Sequence, residues 1–459
     1  MHTFAYCKKT NMKKYIPLIL ALFLILVNQT IKAQENVEKK STETVAKDST
    51  KRHGQLTIGG YGEAVYKYNF FSDNMFRYSH ASSYAESKGH GRVDLPHAVF
   101  MLGYDFGRGW SFNAEIEFEH GGTESAVEVE AEETGEFEKE IERGGEVALE
   151  QFWLQKAFWN GKMNIRAGHF VVPVGGTNNA HLPSEFFGVY RPEGENTIIP
   201  CTWHETGIEI WGRIKGWRYD VMVMPGLNSS MFDVAGWIHN GSASPYEFKV
   251  ANKLAVAARV DNYSIPGLRI GISGYVGNSF QNDVITDEHS TRYKDVKGTV
   301  AIGALDFSFK HQGLILRGNG LYGYLADAAM ISSYNASLSN SNQSPYPHTL
   351  VGSSAWTAGG EVGFDFFSIA KDNAQLASQK FYLFARYEYY DSYIPAPMLT
   401  DYQWSNRHCV SGGINYRPIP EITVKAEAGV RLLKSQYNDE PWVALGITWA
   451  AFFKHHSSK

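Results

Sequence analysis

The sequence predicts an all-β fold: a transmembrane antiparallel β-barrel of about sixteen strands whose third loop folds into the lumen. Three observations carry this. Stretches of about ten residues alternate apolar and polar side chains with period two, as half-buried strands do. The connections between them alternate strictly between tight turns and long loops. The last stretch has an unbroken apolar face, made by Val443, Leu445, Ile447, Trp449, Ala451 and Phe453. A soluble sandwich has no reason for the loop asymmetry, whereas barrels crossing an outer membrane show it.

The chain has 459 residues, 44 glycines, 14% aromatics and a formal net charge of −5. No composition break divides it after about residue 55, so one domain is expected over 55–453. Beyond the N-terminus no apolar run is long enough to span a membrane as a helix. The N-terminus reads as an export signal over residues 1–33: Lys13 and Lys14 precede an apolar core from Ile16 to Val27, and Ala33 offers a cleavage site. Residues 34–54 are polar, charged and without periodicity, and are expected to be a disordered linker on the periplasmic side. Residues 454–459 form a polar tail. After cleavage two cysteines remain, Cys201 and Cys409, read as free thiols.

The strands follow in order. Residues 55–69 place Leu56, Ile58, Ala64, Tyr66 and Tyr68 opposite Thr57, Glu63, Lys67 and Asn69. Residues 92–106 turn through Gly107-Arg108-Gly109 into 110–120, where Phe112, Ala114, Ile116 and Phe118 oppose Asn113, Glu115, Glu117 and Glu119. Hairpins repeat this unit: 147–158 with 162–171, 203–214 with 217–224, 253–263 with 268–277, 297–310 with 314–325, 354–367 with 380–390, and 407–417 with 421–432. Residues 442–453 complete the wall. Strands 147–158 and 297–310 alternate poorly, and their faces are unassigned. Trp110, Trp159, Trp203, Trp217, Phe309, Tyr387, Tyr389 and Phe453 sit at strand ends, as girdle aromatics do.

A barrel of this size encloses water, so the polar faces line a channel. Arg166, Arg259, Arg269, Arg317, Arg386, Lys425 and Arg431 then form a basic arc, and Glu63, Glu115, Glu117, Glu119 and Glu209 an acidic one. Glu388 and Glu427 lie among the bases. Rings of charge select ions by sign, although wall charges also simply solvate and pair with neighbours. The third loop, 172–202, leaves its strand through Phe170 and Pro173 and carries Asn178, Asn179, His181, Glu185, Arg191, Glu193 and Glu195. Phe186, Phe187 and Tyr190 are placed to pin it against the inner wall. The candidate constriction and selectivity residues are therefore Arg166, His181, Glu185, Arg191, Glu193, Glu195, Arg317, Arg386 and Lys425. Loop 121–146 holds ten of the glutamates and is expected to be solvated. His80, His90, His97 and His120 match no zinc spacing, and His204-Glu205 lacks the second histidine of a zincin.

The run Arg166-Ala-Gly-His-Phe-Val-Val-Pro-Val-Gly resembles the strand that enters the inward loop in the phosphate-selective porin O and P family. Gly59-Gly-Tyr-Gly-Glu and the strand ending at Phe453 are similar to that family too, and the signal and length look like porins of the Bacteroidota type. The resemblance covers 55–453. It implies an outer-membrane channel, commonly homotrimeric, passing small hydrophilic solutes or ions, with outer-membrane lipid and lipopolysaccharide around it. Selectivity stays open, because the family's arginine and lysine ladder does not map residue by residue. An adhesive or structural barrel is the competing reading. A barrel enzyme needs a nucleophile–base set, and none is identifiable. Neither cofactor nor nucleic acid is expected.

Overall fold

The computed structural model describes residues 54–119, 125–131, 137–143, 146–244, 248–282, 292–337, 350–370, 376, 378–397 and 399–456. The export signal and nearly all of the linker lie outside the described residues, as does the end of the polar tail.

The described strands close into one antiparallel barrel. They are β1 (Gln55–Asn69), β2 (His90–Asp94 and His97–Gly107), β3 (Trp110–Glu119), β4 (Glu146–Phe158), β5 (Met163–Val171), β6 (His204–Ile214), β7 (Trp217–Pro225) and β8 (Leu254–Ile265). The second half comprises β9 (Leu268–Asn278), β10 (Thr299–His311), β11 (Leu314–Leu325), β12 (Ser354–Asp365), β13 (Lys380–Ile394), β14 (Asn406–Ile419), β15 (Ile422–Leu432) and β16 (Glu440–His456). Each strand pairs with the next. β1 returns to β16 in register from Gln55 opposite His456 to Asn69 opposite Trp442. Closure matters because a barrel satisfies its backbone groups without a free sheet edge.

Period-two alternation decides the faces. Ile58, Phe100, Ile208, Ile272, Leu305, Leu445 and Ile447 are exposed on the outside, while Tyr61, Glu63, Glu115, Asp306, Lys425 and Glu427 are buried inside. The outer face is thus the apolar surface that lipid covers. Trp110, Trp159, Trp217 and Phe453 are exposed at or beside strand ends, whereas Tyr387, expected there too, is exposed at the middle of β13.

Four departures from the sequence reading fall on individual strands. The expected strand 92–106 is broken at Leu95-Pro96, where a residue without an N–H interrupts the ladder. His97 resumes the strand and meets Glu117 and Glu63 inside. In β4 a bulge opposite Glu115 and Ile116 breaks the alternation. Leu149 and Phe152 point outward, and Glu150 is buried inside. Bulges re-aim side chains in this way. In β10 the inner face is apolar near the long loops (Val300, Ile302, Ala304) and becomes polar only at Asp306. Trp203 is not a girdle residue: it is fully buried against Tyr275, with ring centroids 5.0 Å apart.

Trp203 and the inner face of β10 belong to a core inside the barrel. It includes Phe170, Ile198, Leu227, Phe232, Trp237, Tyr275, Phe280 and Ile331. Long-loop segments between β7 and β8 and between β11 and β12 fold inward to build it, the latter through α2 (Ala328–Asn335). One side of the lumen is therefore filled, and water is confined to the rest. The acidic loop contains a hairpin, Ser125–Ala131 against Phe137–Arg143, where the sequence suggested no regular structure. Its remaining residues lie outside the described ones.

Ile447 faces outward near the middle of β16. Ile447→Arg is expected to lower the unfolding free energy in lipid vesicles by about 2–4 kcal/mol. An unchanged denaturant midpoint would contradict the outward assignment.

Candidate functional site

The loop between β5 and β6 crosses the lumen. Phe170 is buried inside β5, and Pro173 cannot extend the ladder. Gly175 takes φ +80°, a conformation open chiefly to glycine, and its position leaves no room for a Cβ beside Glu195. Asn178 fastens the loop's two ends. Its Nδ2 donates to the carbonyls of Val172 (2.9 Å) and Val174 (3.2 Å), and its Oδ1 accepts from the Trp203 amide at 2.6 Å. Near the exit lies a short helix, α1 (Glu193–Ile198). Within it, the fully buried Glu195 accepts from the amides of Gly176 (3.0 Å) and Asn178 (2.8 Å) and from Asn319 of β11 (3.0 Å).

The far wall holds the loop by its backbone. Lys425 of β15, only 1% exposed, donates to the carbonyls of Pro183 (2.6 Å), Phe186 (3.2 Å) and Gly188 (2.8 Å). Glu427 accepts from the Val189 amide at 2.7 Å. Glu388 of β13 accepts from the amides of Glu193 and Gly194, both at 3.0 Å. Arg431 makes two 2.7 Å bonds to the Glu193 carboxylate, which also accepts from the Tyr390 hydroxyl at 3.0 Å. Burial alone pushes the Glu193 carboxyl up. The Arg431 guanidinium, joined by Lys67 and Tyr390, outweighs it and holds the carboxyl down at about 2.

Two chambers flank the loop. The one toward the short turns has a volume of about 340 Å³. Its basic lining residues are Arg269, Lys310, Arg317, Lys380, Arg386 and Arg417, against Glu185, Asp306, Glu361 and Glu388. Arg317 and Arg386 both bind Glu361, the latter at 2.8 Å, and Arg317 also covers the Phe187 ring at 4.8 Å. Lys310 and Lys380 make no ion pair among the described residues and are exposed to the chamber. The chamber toward the long loops, about 380 Å³, is lined by Lys67, Arg92, Arg191, Arg407 and Arg431, with His97 and the acids Glu63, Asp94 and Glu193. Bases outnumber acids in both.

The nine candidate residues thus occupy distinct settings. Glu185 is exposed in the short-turn chamber, where Arg317 and Arg386 also lie. Arg191 and Glu193 line the other chamber. Lys425 and Glu195 are buried within the loop's attachments. Arg166 pairs with Glu209 and stacks over Phe170 at 4.3 Å. Arg191 Nη1 donates to Thr202 Oγ1 at 2.7 Å. His181 sits on the acidic side, with Nε2 3.9 Å from Glu115. Lys310, Lys380, Arg417, Arg92 and Arg407 were missed. Each sits near a strand end, on the inward parity of its strand or beside it, and that position was their available signal.

No family model matches the chain. An uncharacterized protein of Aquifex aeolicus (strain VF5) is 27% identical over 408 residues, which is 86% of this chain and 79% of that protein. Among solved structures, Salmonella typhi OmpF in complex with daunomycin aligns with a TM-score of 0.50 at 8% identity, over 86% of this chain and 97% of its own. The anion-selective porin of Comamonas acidovorans aligns at 0.49 and 9% identity, over 87% and 100%. The outer membrane channel DcaP of Acinetobacter baumannii aligns at 0.47 and 13%, over 88% and 99%. The OmpF likeness carries the fold, a closed porin-type barrel.

The Glu193–Arg431 pair gives a stability test. A double-mutant cycle with Glu193→Gln and Arg431→Met, read by urea unfolding, is expected to show a coupling of about 1–3 kcal/mol. The Glu193 carboxyl is lower in the folded chain than in the unfolded one. The pair's contribution is therefore fully present above the ordinary carboxylate range and fades as pH falls toward about 2. Additive single effects at pH 7 would contradict the pairing.

Proposed function

We propose that this chain is an outer-membrane porin of a Gram-negative cell: a water-filled channel for passive diffusion of small hydrophilic solutes, with a preference for small anions, phosphate among them. The observation that carries the preference is the surplus of bases in both chambers, on either side of a loop fixed across the lumen. An anion crossing the short-turn chamber meets Lys310 and Lys380, which have no carboxylate partner among the described residues. A cation would have to compete with them. A wall of fixed charge selects in this way without a tight binding site. The apolar outer face supports the membrane setting, and the long-loop rim is the side that would meet lipopolysaccharide. Homotrimeric assembly, implied by the family resemblance, belongs to the same reading.

Purified protein in a planar bilayer is expected to give stepwise conductance, with a reversal potential of anion sign in a potassium chloride gradient. A charge about 4 Å from the ion path is worth about 1 kcal/mol in bulk water. Reversing two charges, Lys310→Glu with Lys380→Glu, changes that interaction by about 4 kcal/mol for each ion before salt screens it, so the anion-to-cation permeability ratio should shift by at least roughly tenfold toward cations. Folded protein without conductance would reject the channel, and a cation-signed reversal potential in the unsubstituted protein would reject the anion preference. Light scattering in detergent should find three chains per particle, and one chain per particle would remove the trimer from the proposal.

A further inference from the structure

Toward β3 and β4, the loop meets a pocket of buried acids, of which Glu63 is the one that Lys425 still reaches. Glu63, Glu115, Glu117 and Glu150 are each at most 4% exposed. Strand parity alone would bring in Glu115 and Glu117. Glu150 reaches the pocket through the β4 bulge. His181 arrives from the loop. Glu115, Glu150 and His181 each offer a ligand atom, and these atoms all lie within 4.8 Å of one another.

The arrangement is that of a built site rather than a chance cluster. Glu115 is fully buried, yet its Oε1, the oxygen facing His181, has no hydrogen-bond partner. His181 Nδ1 has none either. A buried carboxylate oxygen without a donor is costly unless a cation meets it. The other oxygens are held from behind. Gln151 Nε2 donates to Glu115 Oε2, and the Tyr61 hydroxyl donates to Glu150 Oε2 at 3.0 Å. Such supporting contacts fix the orientation of metal ligands. The available cations are few: His97 is engaged with Glu117 and Glu63, Lys425 acts on Glu63, and Arg191 contributes one fixed positive charge acting on Glu150.

We propose that Glu115, Glu150 and His181 bind a first-row divalent transition cation, of which Zn²⁺ is the representative. Metal–ligand distances of about 2.0–2.2 Å for these donors put atoms sharing one ion roughly 3–4 Å apart, so loading requires only a small closure. The imidazole favours Zn²⁺, Ni²⁺ or Fe²⁺ over the oxygen-seeking Mg²⁺ and Ca²⁺. Three protein ligands leave a position for water. The ion would join the loop, through His181, to β3 and β4. This inference does not depend on whether the barrel conducts.

The test uses tag-free, full-length protein folded in detergent, freed of metal by chelation and titrated with zinc chloride in a calorimeter. One Zn²⁺ per chain is expected, with an affinity at least roughly tenfold above that for Mg²⁺. Glu115→Gln and His181→Ala each remove a direct ligand and should weaken binding by at least roughly 10–100-fold, the range that loss of a supporting outer contact alone produces. Glu185→Gln, on the same loop but in the short-turn chamber, should leave binding unchanged. Zinc should also raise the melting temperature of the unsubstituted protein. Absence of stoichiometric uptake by folded, unsubstituted protein would overturn the proposal, as would equal uptake by the folded Glu115→Gln and His181→Ala variants. If those variants do not fold, cobalt(II) bound to the unsubstituted protein decides. An absorption spectrum of a low-coordinate nitrogen–oxygen site supports the proposal, and that of the hexaaqua ion overturns it.

Discussion

Charged side chains inside a closed barrel must find partners in a space that the loops have largely filled. This constraint organises the molecule. Lys425 is buried on the inner wall, and what faces it is the backbone of the loop between β5 and β6, whose three carbonyls surround its ammonium. Glu388 and Glu427 face the same loop with carboxylates and receive its amides. The wall charges and the loop backbone thus solvate each other. Neither arrangement is stable alone: an unpaired buried ammonium costs several kcal/mol, and a loop crossing the lumen would leave its polar groups unpaired.

This mutual solvation explains where space is left inside the barrel. The long-loop segments after β7 and β11 bring Trp237, Phe232 and Ile331 into one side of the barrel, where the inner face of β10 is apolar to receive them. Water is left with two chambers, one on each side of the crossing loop, both with more bases than acids. The acids concentrate elsewhere, around Glu115 and Glu150. The sign of the field that a solute meets therefore depends on which charges the loop has consumed, more than on the net charge of −5.

Much of this was legible in the sequence, and the limits have physical causes. Strand positions and the inward loop could be read because their signals are local: period-two alternation, tight turns, and a Pro173–Gly175 bend. The face of β4 could not, because a single bulged residue inverts parity for everything beyond it. The face of β10 could not, because its inner side is apolar wherever a distant loop packs on it. Trp203 looked like a girdle residue for the same reason, since an aromatic at a strand end suits an interface or an internal core equally well. The hardest distinction was between Lys425 and Lys310. Both are bases on wall strands, but one is committed to the loop and the other is exposed to the chamber. Only the path of residues 172–203 across the lumen separates them, and that path is set by contacts more than two hundred positions apart in the chain.

Amide hydrogen exchange over residues 172–203 tests the crossing loop most directly. The amides of Gly176, Asn178, Val189, Glu193 and Gly194 donate to the buried carboxylates of Glu195, Glu427 and Glu388. A loop fixed across the lumen should exchange these positions as slowly as the barrel strands on either side. Exchange at the rate of an unstructured peptide, in protein whose strands remain protected, would contradict the account.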